Sequence, residues 1–206
     1  MQFLSYIGVN TSFIHLILRT PVMPKIKISP VSLLLIPLVL SDPTGQIADT
    51  LISVCLHELG HLAAIIICGV GFSCLNITPY GLEITTSRPY RNFYEEIAVD
   101  SAGCAVNFIC WAVLRNSESL SGFAGSSLIL GTLNALPVLS LDGGEVLFSL
   151  LSVFLPYRVA CKISRFVSFI TLICMWTFAA YIFLFSGYNY SLFIMTVWLF
   201  GKILCH

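Results

Sequence analysis

Apolar residues run through this chain in long blocks separated by short polar breaks. The blocks are too long for strands and too uniformly apolar for the amphipathic helices of a water-soluble domain. Ile47 to Val70, Glu95 to Leu114 and Phe166 to Phe185 each have the length of a membrane-crossing helix, which takes about 20 residues. Ser119 to Leu139, interrupted near Pro137, reads as another crossing. Val31 to Ser41, which carries Pro37, and Leu192 to Leu204 are shorter candidates and bring the count to six. Between the blocks, Lys25 to Ser29 alternates polar and apolar positions and predicts a short strand at the membrane edge. Phe72 to Thr86 predicts a hairpin around Thr78-Pro79-Tyr80-Gly81, Asp42 to Gly45 a turn, and Gly143 to Leu155 a short helix. The pattern predicts an all-α polytopic membrane protein with a small membrane-edge β-sheet. Residues 1–24 form an N-terminal interfacial segment, and 25–206 form one membrane domain.

Composition sharpens this picture. Of 206 residues, 57% are hydrophobic and only 10% charged, against roughly a quarter charged in soluble domains. Acids and bases balance at ten each, so there is no electrostatic footprint for nucleic acid. The eight cysteines form no C-x-x-C pair and read as small buried hydrophobes. The first basic residue, Arg19, follows the apolar start instead of preceding it, which argues against a cleaved signal peptide. With six crossings and the N-terminus in the cytoplasm, every basic residue but Arg115 falls on the inner side of a bacterial cell membrane.

The candidate chemistry sits in the second block, as His57-Glu58-Leu59-Gly60-His61. Imidazoles four residues apart project from one helix face about a turn apart, so both reach a single zinc ion. Glu58 is placed to take a proton from the attacking water. Ionisable residues inside an apolar crossing are costly and usually functional. A catalytic zinc takes three protein ligands. The remaining histidines, His15 and His206, lie outside the apolar core, so the third ligand is expected to be a carboxylate. Asp142 is the clearest candidate, at the inner end of the fourth block where Pro137, Gly143 and Gly144 break the helix and a cation would offset the cost of burying it.

H-E-x-x-H in one crossing, followed two crossings later by Asn134-Ala-Leu-Pro137 and Leu141-Asp142-Gly143-Gly144, resembles the site-2 protease family of intramembrane zinc metalloproteases. Ser101-Ala-Gly-Cys-Ala-Val-Asn107 is similar to that family's A-G-P-x-x-N element. Ser87 to Tyr90, Glu95 to Ala98, Leu136 to Gly144 and Phe148 to Pro156 look like its sporulation branch, that of stage IV sporulation protein FB. The resemblance runs from about Lys25 to Lys162, and three motifs in joint spacing are more specific than any one.

The resemblance implies a metalloendopeptidase in which His57, His61 and Asp142 hold Zn2+ and Glu58 is the general base. Asn134 would orient the substrate backbone or stabilise the oxyanion, with Pro137 and Asn107 also expected on the substrate side. The strand and hairpin would present an unwound substrate segment as an added strand. The implied substrate is a membrane-associated protein, first a pro-sigma factor of a spore-forming bacterium, then an anti-sigma factor or a signal-peptide remnant, with inhibitory membrane proteins as further partners. A metal or proton transporter using the same residues as a relay is the rival reading. It predicts internal repeats, and none is visible. Three features depart from or extend the pattern. Cys104 stands where the family usually has proline, Glu145 adds an acid after the two glycines, and Asp100 lies within the third block. The chain also ends soon after its last block, so the nucleotide-sensing C-terminal domain of some members is not expected here.

Overall fold

The computed structural model describes residues 25–28, 35–78, 81–86, 89–90, 92–186 and 190–204. The interfacial segment 1–24, the hairpin tip at Pro79 and Tyr80, and His206 therefore lie outside the described residues. The order of elements is β1 (Lys25–Ile28), α1 (Leu35–Leu40), α2 (Gln46–Ile67), β2 (Phe72–Thr78), β3 (Gly81–Thr86), α3 (Phe93–Leu114), α4 (Ser121–Asn134), α5 (Asp142–Phe154), α6 (Tyr157–Ser186) and α7 (Tyr190–Leu204). The expected sheet is present, with β1 parallel to β2 and β2 antiparallel to β3. A parallel pair needs a crossover rather than a tight turn, and α1 and α2 supply it.

Among the described residues, three helices are long and apolar enough to cross a membrane: Gln46–Ile67, Phe93–Leu114 and Tyr157–Phe185. The chain is a membrane protein, but the count of six crossings is not met by helices of crossing length. At 1.5 Å per residue, the 14-residue α4 reaches only about 21 Å against a hydrocarbon core of about 30 Å. It stops at Asn134, three residues before Pro137. In the described part of the first block, residues 35–41, the helix is the six-residue α1.

The interior has the character of a helix assembly in lipid. Leu59, Ile109, Val113, Ile129, Phe166, Phe178 and Leu184 are exposed, while Ser53, Asn107, Ser127, Ser149, Ser164, Ser168 and Thr196 are buried. Lipid already solvates large apolar side chains, so the contacts between helices fall to small and hydrogen-bonding residues. Ser53 on α2 donates to Ser127 on α4 at 3.0 Å. Gly60 lets α2 and α3 close up, since a Cβ there would lie 2.9 Å from the Ala102 carbonyl oxygen. One apolar cluster, Ile65, Val70 and Val99 with Ile84 and Tyr90, joins the end of α2 to the sheet and the start of α3. A second, Val138, Leu172 and Leu199, fastens the α4–α5 loop to α6 and α7.

Local chemistry sets the ends of α2. Asp42 Oδ1 accepts from the Thr44 hydroxyl at 2.6 Å and its amide at 2.9 Å, and Oδ2 accepts from the Ile47 amide at 2.7 Å. This satisfies donors that the first turn of a helix leaves open. The other end turns at Gly69, whose φ of 65° is open to a residue without Cβ. The Thr44 hydroxyl, then the Ile47 and Thr44 amides, hold the Asp42 carboxyl below its ordinary value of 3.8. A depressed pKa means stabilisation that is present above the unfolded-state value and is lost as pH falls through the folded one. Protection of the amides in the first turn of α2, taken relative to their intrinsic exchange rates at each pH, is therefore expected to fall as pH drops through the folded value of Asp42. Asp42→Asn should show the lower protection already at neutral pH, and equal protection in both proteins would remove the role given to the carboxylate.

Candidate metal centre

The two histidines lie within the 22-residue α2, His57 4% exposed and His61 only partly covered. Their rings meet edge to face with centroids 4.8 Å apart, and their Nε2 atoms are 3.1 Å apart. Space for the pair comes from α3. A Cβ on Gly103 would lie 2.8 Å from His57 Nε2 and would overlap His61 Nε2, so only glycine admits both rings.

Asp142 arrives from the opposite side as the first residue of α5. Its Oδ2 lies 2.9 Å from His57 Nε2 and 3.2 Å from His61 Nε2. The loop ahead of it is held by one hydroxyl. Ser168 on α6 donates to the Pro137 carbonyl at 3.2 Å and accepts from the Leu139 amide at 2.9 Å. Gly143 and Gly144 follow because α5 starts tight against that loop. A Cβ at 143 would overlap the backbone of Ala135 and Leu136, and one at 144 the backbone of Val138. The helix break and the two glycines were legible in the sequence, and this packing is their reason.

The far side of each ring is also fixed. His61 Nδ1 is 2.8 Å from the Val99 carbonyl. A carbonyl only accepts, so Nδ1 carries a proton, and the neutral ring then presents a lone pair at Nε2. His57 Nδ1 is 3.1 Å from the amide of Asn107, which is fully buried and whose Oδ1 has no partner. An amide turned end for end exchanges its nitrogen and oxygen. In that orientation Oδ1 accepts from Nδ1–H and the Nε2 of His57 is likewise left with a lone pair. Two lone pairs and a carboxylate oxygen would then face one another within 3.2 Å. Such a set repels itself unless a cation stands among its members. Nitrogen and oxygen donors placed tetrahedrally at zinc–ligand distances of about 2.0 to 2.2 Å stand about 3.3 to 3.6 Å apart, close to the spacing found. The residues present fit a zinc ion.

Of the other residues singled out from the sequence, Glu58 is half-buried on α2, one position beyond His57 and about 100° further round the helix. Asn134 is the half-buried last residue of α4, and Pro137 stands in the clamped loop. Asn107, expected on the substrate side, lies behind His57. Asp100 is half-buried and Glu145 exposed. Two participants were not foreseen. The Val99 carbonyl is main chain and carries no sequence signal. Cys104, read with the other cysteines as packing, has its thiol 3.6 Å from Asp142 Oδ2. Its sulfur, a His57 ring nitrogen and an Asp142 oxygen all lie within 4.8 Å of one another.

No protein-family model matches the chain. Over 126 residues it is 30% identical to the stage IV sporulation protein FB of Bacillus subtilis (strain 168). The match takes in 55% of this chain and 43% of that protein, so the chain spans less than half the length of the curated relative it matches. Among solved structures it superposes on the site-2 protease from Methanocaldococcus jannaschii with a TM-score of 0.57. That superposition covers 86% of this chain and 88% of the other at 22% identity, a likeness of fold. The chain is thus similar to stage IV sporulation protein FB in sequence and to a site-2 protease in fold.

Proposed function

We propose that this chain is an intramembrane zinc metalloendopeptidase that cuts membrane-associated proteins, with His57, His61 and Asp142 as the metal ligands and Glu58 as the general base. The observation that carries this reading is the meeting of two imidazole Nε2 atoms and one carboxylate oxygen within 3.2 Å, on apolar helices. Zinc held there supplies Lewis acidity and brings the acidity of water toward neutral pH. The chain's own residues do the rest. Glu58 accepts a proton from the attacking water and returns it to the leaving amine. The Val99 carbonyl, and the Asn107 amide in its turned orientation, keep each ring in the tautomer that offers Nε2 outward, which makes Asn107 a positioning residue rather than a substrate contact. Asn134, at the end of α4, and Pro137 face the substrate. A scissile bond inside an intact helix is shielded, so the substrate unwinds and adds a strand to the β1–β3 sheet.

The N-terminus lies in the cytoplasm, as the distribution of basic residues favours, and the centre is reached from that side. The name of the curated relative favours a sporulation substrate, a pro-sigma factor before an anti-sigma factor or a signal-peptide remnant. The test is co-expression with membrane-tethered members of each class, read by gel mobility, beside the zinc content of the purified chain. One equivalent of zinc and a cleavage product that a chelator abolishes are expected. A purified chain without stoichiometric metal, or with metal but inert toward all three classes, would overturn the assignment.

Asn107→Leu is expected to weaken zinc binding by about 10–100-fold, the usual cost of losing a group that orients a metal-bound histidine. Competition with a chelator of known affinity measures this, and wild-type affinity in the variant would show that the amide does not set the tautomer.

A further inference from the structure

The site brings a fourth donor to the same place. Cys104 follows the glycine that admits the two rings and precedes Asn107 by three residues, so α3 turns Gly103, Cys104 and Asn107 toward the histidines together. Its thiol is buried, 8% exposed, and points at Asp142 Oδ2 from 3.6 Å. A thiolate sulfur and a carboxylate oxygen on one tetrahedral zinc stand about 3.5 Å apart, from zinc–ligand distances of 2.3 and 2.0 Å. A cysteine that served packing alone would have no reason to share a carboxylate oxygen with two imidazoles. Among the described residues, Cys104 is the cysteine grouped with His57 and Asp142 in ligand range.

We infer that Cys104 is a fourth protein ligand of the resting metal centre, an inference that rests on the metal reading given under Proposed function. On binding, the sulfur–metal bond forms as the thiol proton is released to solvent, the usual course for a cysteine ligand. The resting centre is then a closed set of two imidazoles, one carboxylate and one thiolate. Catalytic zinc sites otherwise keep a position open for water, and closed sites are the structural kind. For the attacking water to take its place on the metal, the sulfur–metal bond would break and Cys104 would take up a proton and return to the thiol.

Cobalt reads this directly, because a thiolate bound to Co2+ gives a strong near-ultraviolet charge-transfer band that nitrogen and oxygen donors do not. The wild-type chain, purified in detergent and loaded with cobalt, is expected to bind one equivalent and show the band. Cys104→Ser and Cys104→Ala should lose the band while keeping the weaker visible bands of bound cobalt. As a second measurement, the zinc-edge X-ray absorption of the wild-type chain should fit one sulfur scatterer, a result that does not depend on how the variants fold. Cobalt bound by the wild type without the band, a band that survives both substitutions, or zinc with only light-atom donors would overturn the thiolate and leave the metal centre standing. A wild-type chain that takes up neither metal would overturn the metal centre, and Cys104 with it.

Discussion

Glu58→Gln is expected to lower cleavage of a co-expressed membrane substrate by roughly 10²–10⁴-fold, the usual contribution of a positioned general base, while zinc stays bound at one equivalent. The amide matches the carboxylate in shape but accepts no proton at neutral pH, and the three donors that meet at the cluster come from His57, His61 and Asp142. Asp142→Ala is expected to fail differently. It leaves His57 and His61 without the carboxylate whose oxygen lies against both rings, so zinc and cleavage should fall together. Measuring zinc content and product in the same preparations separates the two roles. A Glu58→Gln protein that cleaves at the wild-type rate would end the general-base assignment. An Asp142→Ala protein with full zinc would end the ligand assignment.

The second large effect is steric. Gly103→Ala places a methyl group in overlap with His61 Nε2 and 2.8 Å from two atoms of the His57 ring. The rings must turn or α3 must back away, and either shift moves donor atoms by a sizeable part of an ångström. Misplacement on that scale costs on the order of 10²-fold in rate, and zinc affinity should fall with it. Gly125→Ala on α4 is the matched control, because a Cβ there meets nothing within 4 Å. It should cleave and bind zinc as the wild type does. A Gly103→Ala protein indistinguishable from that control would mean the rings do not sit against α3 as described.

These two experiments bracket what could be read from residues alone. The H-E-x-x-H spacing puts two imidazoles on one helix face whatever the tertiary fold, and α2 delivers them so. The strand and hairpin were legible because a period-2 pattern and turn residues stand out against long apolar blocks. Helix limits were harder. Apolar content does not mark where a helix stops, so Ser119 to Leu139 reads as one block although its helix runs from Ser121 to Asn134. The placement of Asn107 and Cys104 beside the histidines was hidden for a related reason. Both occur in a recognisable motif, but a motif does not say which side chain faces the substrate and which faces a histidine. That depends on how far α3 is rotated against α2, a matter settled by the close approaches at Gly60 and Gly103.

By itself the sequence determined that this is a membrane protein, that two imidazoles and a glutamate share one of its helices, and that an aspartate after a helix break stands ready to join them. Those features follow from composition and from spacing within single elements. Only the tertiary structure decided that the aspartate reaches both rings, that a main-chain carbonyl and a buried amide turn those rings, and that a thiol lies beside them. The physical reason is that each of these contacts joins residues 38 or more positions apart, where local propensity is silent. Helix packing fixes such distances to within ångströms.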